Sequence, residues 1–177
     1  MRQLALLLLV SISAMAQVRP AKDGDLSLRI IPNASIVHAN DTLLMKVEVM
    51  NIGNDAIYLR TDDLCLNPGA GLTLKVSDPS GRALKTSVPL TCVSVPASAD
   101  RDSLVRLAPD AFYGLLIRIQ PSRISPKPGR YLLNFALRGT LTRQQCTQIL
   151  SVGKTPTTAF TSDSSSLEFQ IPLEIAP

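Results

Sequence analysis

Between residues 42 and 60 the chain reads TLLMKVEVMNIGNDAIYLR, and this stretch limits the choice of fold more than any other. Leu43, Met45, Val47 and Val49 alternate with Leu44, Lys46, Glu48 and Met50. A period of two sends alternate side chains to opposite faces of a pleated strand, which is the mark of a half-buried strand. Asn51-Ile52-Gly53-Asn54-Asp55 breaks the run, and Ile57 and Leu59 then resume it on one face. Taken alone, this is a hairpin with a five-residue turn. Set among the strands that follow, it is a corner that carries the chain from one sheet to another. Val47, Val49, Ile57 and Leu59 would then face one another across a core. A backbone ladder joining Val49 to Ile57 would instead mark the hairpin.

The same alternation recurs along the chain. Leu26, Leu28 and Ile30 alternate with Ser27 and Arg29, and residues 35–38 resume that strand beyond Pro32-Asn33. Leu72, Leu74 and Val76 form another strand. It ends in Asp78-Pro79-Ser80-Gly81, a type I turn signature, so residues 82–85 should fold back as a second arm. A scrap of strand at 64–66, an edge strand at 90–95 between Pro89 and Pro96, and a strand at 103–107 are shorter candidates. Residues 112–120 place Tyr113, Leu115, Ile117 and Ile119 on one face. After the proline-rich connection 121–129, residues 130–138 place Tyr131, Leu133, Phe135 and Leu137 on one face of a central strand. Residues 167–175 alternate strictly, and Pro172, which has no N–H, assigns them to a sheet edge. Residues 139–166 are rich in Thr, Ser and Gln and read as a long loop, or as a loop with one more strand at 148–152. No helical period is sustained after the N-terminal segment, so an all-β, antiparallel sandwich is expected.

The N-terminal segment has its own logic. MRQLALLLLVSISAMA combines a basic Arg2, an apolar run and Ala14-Met15-Ala16, as a secretory signal peptide does. The run is shorter than the roughly 20 residues a membrane anchor needs. Residues 1–16 are therefore expected to be removed after Ala16, leaving no membrane anchor and a secreted or periplasmic chain. Residues 17–24 would form a flexible lead-in to a single domain at 25–177. Loss of Arg2 lowers the formal charge from +4 to +3, too small an excess to imply an acidic partner. An exported chain with Cys65, Cys92 and Cys146 is expected to form one disulfide and keep one thiol. Cys65–Cys92, closest in sequence, is the first choice and Cys92–Cys146 the second.

Catalytic chemistry finds little support. His38 is the sole histidine, and there is no Gly-x-Ser-x-Gly elbow to pair with it. No Cys-x-x-Cys pair suggests a metal. Val152-Gly153-Lys154-Thr155 ends like a phosphate-binding loop, but Gln148 stands where its first glycine belongs. Asp23 with Asp25, Asp62 with Asp63, and Asp100 with Asp102 form acidic pairs without EF-hand spacing; turn formation explains them better than calcium. Asn33 and Asn40 head glycosylation sequons, which matter only in a eukaryotic secretory route. Arg118, Arg123, Lys127, Arg130 and Arg138 gather around one connection without the interleaved aromatics of a nucleic-acid surface. No catalytic residue, metal or cofactor is assigned, and no nucleic acid is expected as partner.

Residues 41–60 resemble the strand-B-to-C region of bacterial extracytoplasmic immunoglobulin-like domains, where an alternating strand enters an Asn-containing corner, here VEVMNIGNDAIYL. LTLKVSDPSGRAL at 72–84 is similar to their following hairpin. Residues 104–137, with a Leu-x-Pro step and then PKPGRYLLNFAL, are similar to their late strands. Proteins akin to the BsuPI proteinase inhibitor share this layout. The resemblance spans residues 26–138 and implies an immunoglobulin-like β-sandwich of about 7–9 strands. The Cys-Trp-Cys core of antibody domains is missing, and the 139–166 segment departs from the pattern. No inhibitory residue carries across, and fold alone does not imply function. The expected function is a non-enzymatic module that binds a protein or another extracytoplasmic ligand, using the 139–166 loop or a 167–175 edge strand. A proteinase inhibitor acting through an exposed loop at 121–129 is the alternative, and a hydrolase is third.

Overall fold

The computed structural model describes residues 18–66, 70–85, 103–150 and 156–177. The expected signal peptide and its cleavage site, the edge strand at 90–95 and the Lys154 motif lie outside the described residues. In chain order the elements are β1 (Val18–Pro20), β2 (Leu26–Pro32), β3 (Ile36–His38), β4 (Leu43–Asn51), β5 (Ile57–Arg60), β6 (Leu72–Ser77) and β7 (Ala83–Leu84). They continue with β8 (Leu104–Leu107), β9 (Phe112–Ile119), α1 (Pro121–Ile124), β10 (Gly129–Leu137), α2 (Arg143–Leu150), β11 (Thr157–Ala159) and β12 (Leu167–Ala176).

The described strands form three sheets, ordered β2-β4-β9, β3-β12-β10-β6-β7 and β1-β11-β5-β8. The first is antiparallel throughout. In the second, β3 runs parallel to β12, and in the third β11 runs parallel to both neighbours. The all-β class holds, with more strands and one more sheet than expected. Buried side chains from all three sheets meet in one core, among them Val47, Ile117, Leu133, Phe135, Leu59 and Leu107. Each such side chain contributes about 1.5–3 kcal/mol by leaving water.

The opening stretch is a corner. β4 pairs with β2 and β9, whereas β5 pairs with β11 and β8, so no ladder joins Val49 to Ile57. Asn51, fully buried at the end of β4, makes the bend. Its side-chain Nδ2 donates to the Asp55 and Leu107 carbonyls at 2.8 and 3.0 Å, and its Oδ1 accepts the Gly53 N–H at 3.0 Å. One amide thus satisfies the turn and ties it to the end of β8. The 78–81 turn also forms as read: Gly81 N–H donates to the Asp78 carbonyl at 2.9 Å, and β7 returns along β6.

Four expectations are corrected. Of the expected lead-in at 17–24, the described part is not free, because Val18–Pro20 pair with β11 and Val18 is buried. Residues 64–66 form no strand; Thr61–Leu64 is a single 3₁₀ turn. Residues 139–166 hold α2 and β11 instead of a long loop, and residues 148–150 are helical. The helix begins with a capping box: Thr142 Oγ1 accepts the Gln145 N–H, while Gln145 Oε1 accepts the Thr142 N–H. That Thr-x-x-Gln signal was in the sequence, hidden by the segment's polar composition. β12, finally, is no edge strand, for it lies between β10 and β3. The Glu174 N–H donates to Ser35 on the β3 side at 2.9 Å, and Pro172 shares that parity. β3 reaches only Glu174 to Ala176, so the missing N–H of Pro172 falls where no described strand offers it an acceptor.

Candidate functional site

Hydrogen-bond parity locates a run of backbone that has no strand partner among the described residues. Asn33 N–H donates to the Leu44 carbonyl at 2.8 Å, so even-numbered residues of β4 turn their peptide groups to β2 and odd-numbered ones to β9. The Asn51 N–H, donating to Ala111 at 2.9 Å, fits the same rule. With Val47 opposite Leu115 and Val49 opposite Tyr113, the odd residues of β9 bond to β4. Phe112, Gly114, Leu116 and Arg118 therefore turn N–H and C=O groups away from the sheet. Among the described residues no strand pairs with that side of β9. At the opposite end of the sheet, β2 packs on β12.

The side chains beside this edge are unusually apolar. Phe112 is 59% exposed and Leu116 65%, with Met50 and Ile31 on the neighbouring strands also exposed. Lys46 stands over the Phe112 ring at 5.5 Å and pairs with Glu48 at 2.5 Å. Between the two apolar side chains lies Gly114, where an added Cβ would come within 2.9 Å of the Val47 carbonyl oxygen. The glycine lets the Val47 carbonyl and the Glu48 side chain close in on the outer face. On the inner face Tyr113 and Leu115 are only half-buried, while Ile117 and Ile119 are buried. The first half of β9 thus projects past the cover of the core.

A groove of about 640 Å³ crosses the outer face of β6, β10 and β12. Its floor is polar and largely self-satisfied. The Gln170 amide donates to Asn134, Asn134 donates to Ser77 at 3.2 Å, and Thr73 donates to the Ala136 carbonyl at 3.2 Å. Ligand pockets are more often apolar with a few converging polar groups, so this groove ranks below the β9 edge.

A buried polar cluster sits where α2 joins the sheets. Asp63 is fully buried and accepts from Thr140 Oγ1 at 2.5 Å and from the Thr140 N–H at 3.3 Å. Arg60 donates to Thr140 Oγ1 at 3.1 Å and pairs with Asp62 at 3.3 Å. Burial pushes the Asp63 carboxyl up to about 6, against the opposing hydrogen bonds from Thr140 and the charge of Arg60. Cys146 lies buried on α2, its thiol pushed up to about 11 by burial and then by the Asp63 charge. A thiol so protonated is a poor nucleophile, and the cluster acts as a clamp between the 3₁₀ turn and the start of α2.

The residues singled out from sequence do not converge. Cys146 is a free thiol, which removes the Cys92–Cys146 pairing; the Cys65–Cys92 pairing involves Cys92, outside the described residues. His38 is exposed and stands 3.4 Å from Asp41 on its own turn. Asp25 takes the Lys22 N–H at 2.7 Å, as a turn former does, and Asp100 and Asp102 lie outside the described residues. Asn33 Oδ1 accepts the Leu44 N–H at 2.8 Å. The basic residues disperse: Arg130 pairs with Glu174, Arg138 lines the groove, and Arg118 sits on β9. In the 121–129 connection Pro121, Ile124 and Ser125 are buried. Residues 126–128 are exposed, and the Tyr131 hydroxyl braces them by donating to the Lys127 carbonyl at 2.8 Å. The residues missed from sequence were Phe112 and Leu116, whose apolar character on the outward face of β9 was the available signal. No known protein-family profile and no curated protein matches the chain.

Proposed function

We propose that the chain is an exported, non-enzymatic immunoglobulin-like module that binds a protein partner by main-chain pairing along β9. The open edge carries this conclusion: four peptide groups without partners among the described residues, flanked by exposed Phe112 and Leu116. Strand addition at such an edge takes affinity from backbone hydrogen bonds and specificity from alternate side chains. The immunoglobulin-like assignment is supported by the corner at Tyr131, near the start of β10, whose hydroxyl reaches back four residues to Lys127. Export is supported by residues 1–16, and with Cys146 free, Cys65–Cys92 is the proposed disulfide. Peptide mapping under non-reducing conditions should recover that linked pair.

The test of the binding role is an array of extended peptides followed by hydrogen exchange. A bound strand should slow exchange at Phe112, Gly114, Leu116 and Arg118, and Leu116→Lys should abolish the effect. An array with no strand that protects these amides would count against it. The second reading, a proteinase inhibitor, rests on the exposed, braced tip at residues 126–128 that presents Lys127. A protease panel that includes trypsin-like enzymes and shows no inhibition would dispose of it.

A further inference from the structure

We propose that the groove on the outer face of β6, β10 and β12 binds an acidic oligosaccharide, a ligand with carboxylates among its hydroxyls. This second site does not depend on the pairing role of β9. The groove holds about 640 Å³, inside the range of roughly 300–1,000 Å³ that small-ligand sites occupy. Its shape follows from the register. Thr73, Ala136 and Glu168 form one row across the three strands, and Lys75, Asn134 and Gln170 form the next. Arg138 closes the far end on β10. Ala136, the smallest side chain of the set, lies among longer ones, so the face is a dish. With strands about 4.8 Å apart and residues ~3.4 Å apart, the dish measures about 10 by 14 Å, long enough for a short oligosaccharide.

The floor of the dish is hydrogen-bonded to itself, and the rim is not. Gln170 donates to Asn134, which in turn donates to Ser77 and to the Lys75 carbonyl. The exposed side chains of Lys75, Arg138 and Glu168 have no hydrogen-bond or ion-pair partner among the described residues. Arg138 and Glu168 stay unpaired although they are diagonal neighbours on the same face. Left open are the donors of Lys75 and Arg138 and the acceptors of Glu168 and the Gln170 side-chain carbonyl. A sugar hydroxyl both donates and accepts, so a rim of mixed donors and acceptors suits it. The polarity that tells against an apolar ligand is what a polyhydroxylated one requires. Two cations against one carboxylate favour a negative ligand, and the Arg138 guanidinium matches a carboxylate with parallel N–H donors. Glu168 then accepts from hydroxyls. An acidic peptide fits worse, because it would meet the Glu168 charge with no hydroxyls to offer it.

Titration calorimetry of the purified protein with trigalacturonate, neutral maltotriose and poly-glutamate tests this. Trigalacturonate should bind, and the other two should bind at least about tenfold more weakly. Arg138→Ala and Lys75→Ala should each weaken trigalacturonate by about fivefold or more. Ala136→Leu should abolish binding by filling the dish. Circular dichroism should stay unchanged in the Arg138 and Lys75 variants, whose side chains are exposed. Glu168→Ala separates a built saccharide site from plain charge attraction. It should weaken trigalacturonate by about fivefold through the lost hydroxyl contacts, although it removes a negative charge. Leu116→Lys on β9 should leave the affinity unchanged. The proposal is overturned by no binding of trigalacturonate, by equal binding of maltotriose or poly-glutamate, or by tighter binding in Glu168→Ala. Loss of binding in Leu116→Lys would overturn it too, by moving the ligand to another face. The first three results leave the pairing role of β9 standing.

Discussion

β9 and the first part of β12 both carry backbone with no strand partner among the described residues, and they are dressed in opposite ways. Beyond the reach of β3, the free side of β12 presents Glu168, Gln170 and Pro172. Charge, polarity and a missing donor are the usual means by which sheet edges discourage pairing. β9 has none of these over its first six residues. It presents Phe112, Gly114 and Leu116, with a single Arg118 at the far end. Among the described residues one edge is guarded and the other is not, and the proposed pairing at β9 rests on that contrast.

The largest change should come from within. Asn51→Ala strips three hydrogen bonds from the corner and leaves the Asp55 and Leu107 carbonyls without their donor. A loss of about 3 kcal/mol of folding stability is expected by chemical denaturation, loosening the lead into β9 while β12 keeps its pairing. Leu116→Lys should follow, costing about 2 kcal/mol of peptide-strand binding by titration; Gln170→Lys on β12 should cost none. The contrast between the edges breaks down if both substitutions act alike.

Acid separates folding from pairing. Asp63 binds its proton more tightly folded, at about 6, than unfolded, at 3.8. The native state therefore holds more protons between those values, and stability rises as pH falls through 6 toward 4. A gain of about 1 kcal/mol from pH 7 to 5 is expected in urea titrations, and Asp63→Asn should abolish it. β9 holds no carboxylate or imidazole, so association should stay level over that range. The smallest effect belongs to Pro172→Thr, which restores a donor to the β12 edge. Stability should move by no more than about 0.5 kcal/mol, while light scattering should register slow association absent from the parent protein.

The strands with a core-facing stripe were legible, β4, β9 and β10 among them, because burial on one face writes a period of two into the residues. β1 and β11 were not, being three residues long and paired in parallel, with too few positions to show a period. The place of β12 was misjudged because a proline reports on one peptide group, whereas a strand can be an edge at Pro172 and interior at Glu174. The same limit hid the candidate site. Strand order is not written in any single segment, so β9 could be recognised as a strand without being recognised as the last described one in its sheet.

Cys146 has a consequence for how the chain would oxidise in the proposed extracytoplasmic setting. With its thiol raised from 9.0 to about 11, the reactive thiolate is about a hundredfold scarcer than in a free cysteine. That protection exists only once Leu141 and Val18 have packed around the residue. Docking of α2 onto β1 therefore acts as a kinetic filter: a chain that settles this layer first retires one cysteine from exchange and leaves the oxidant a single choice. A chain oxidised earlier could join any two of the three, and would have to reopen a bond to reach the same end.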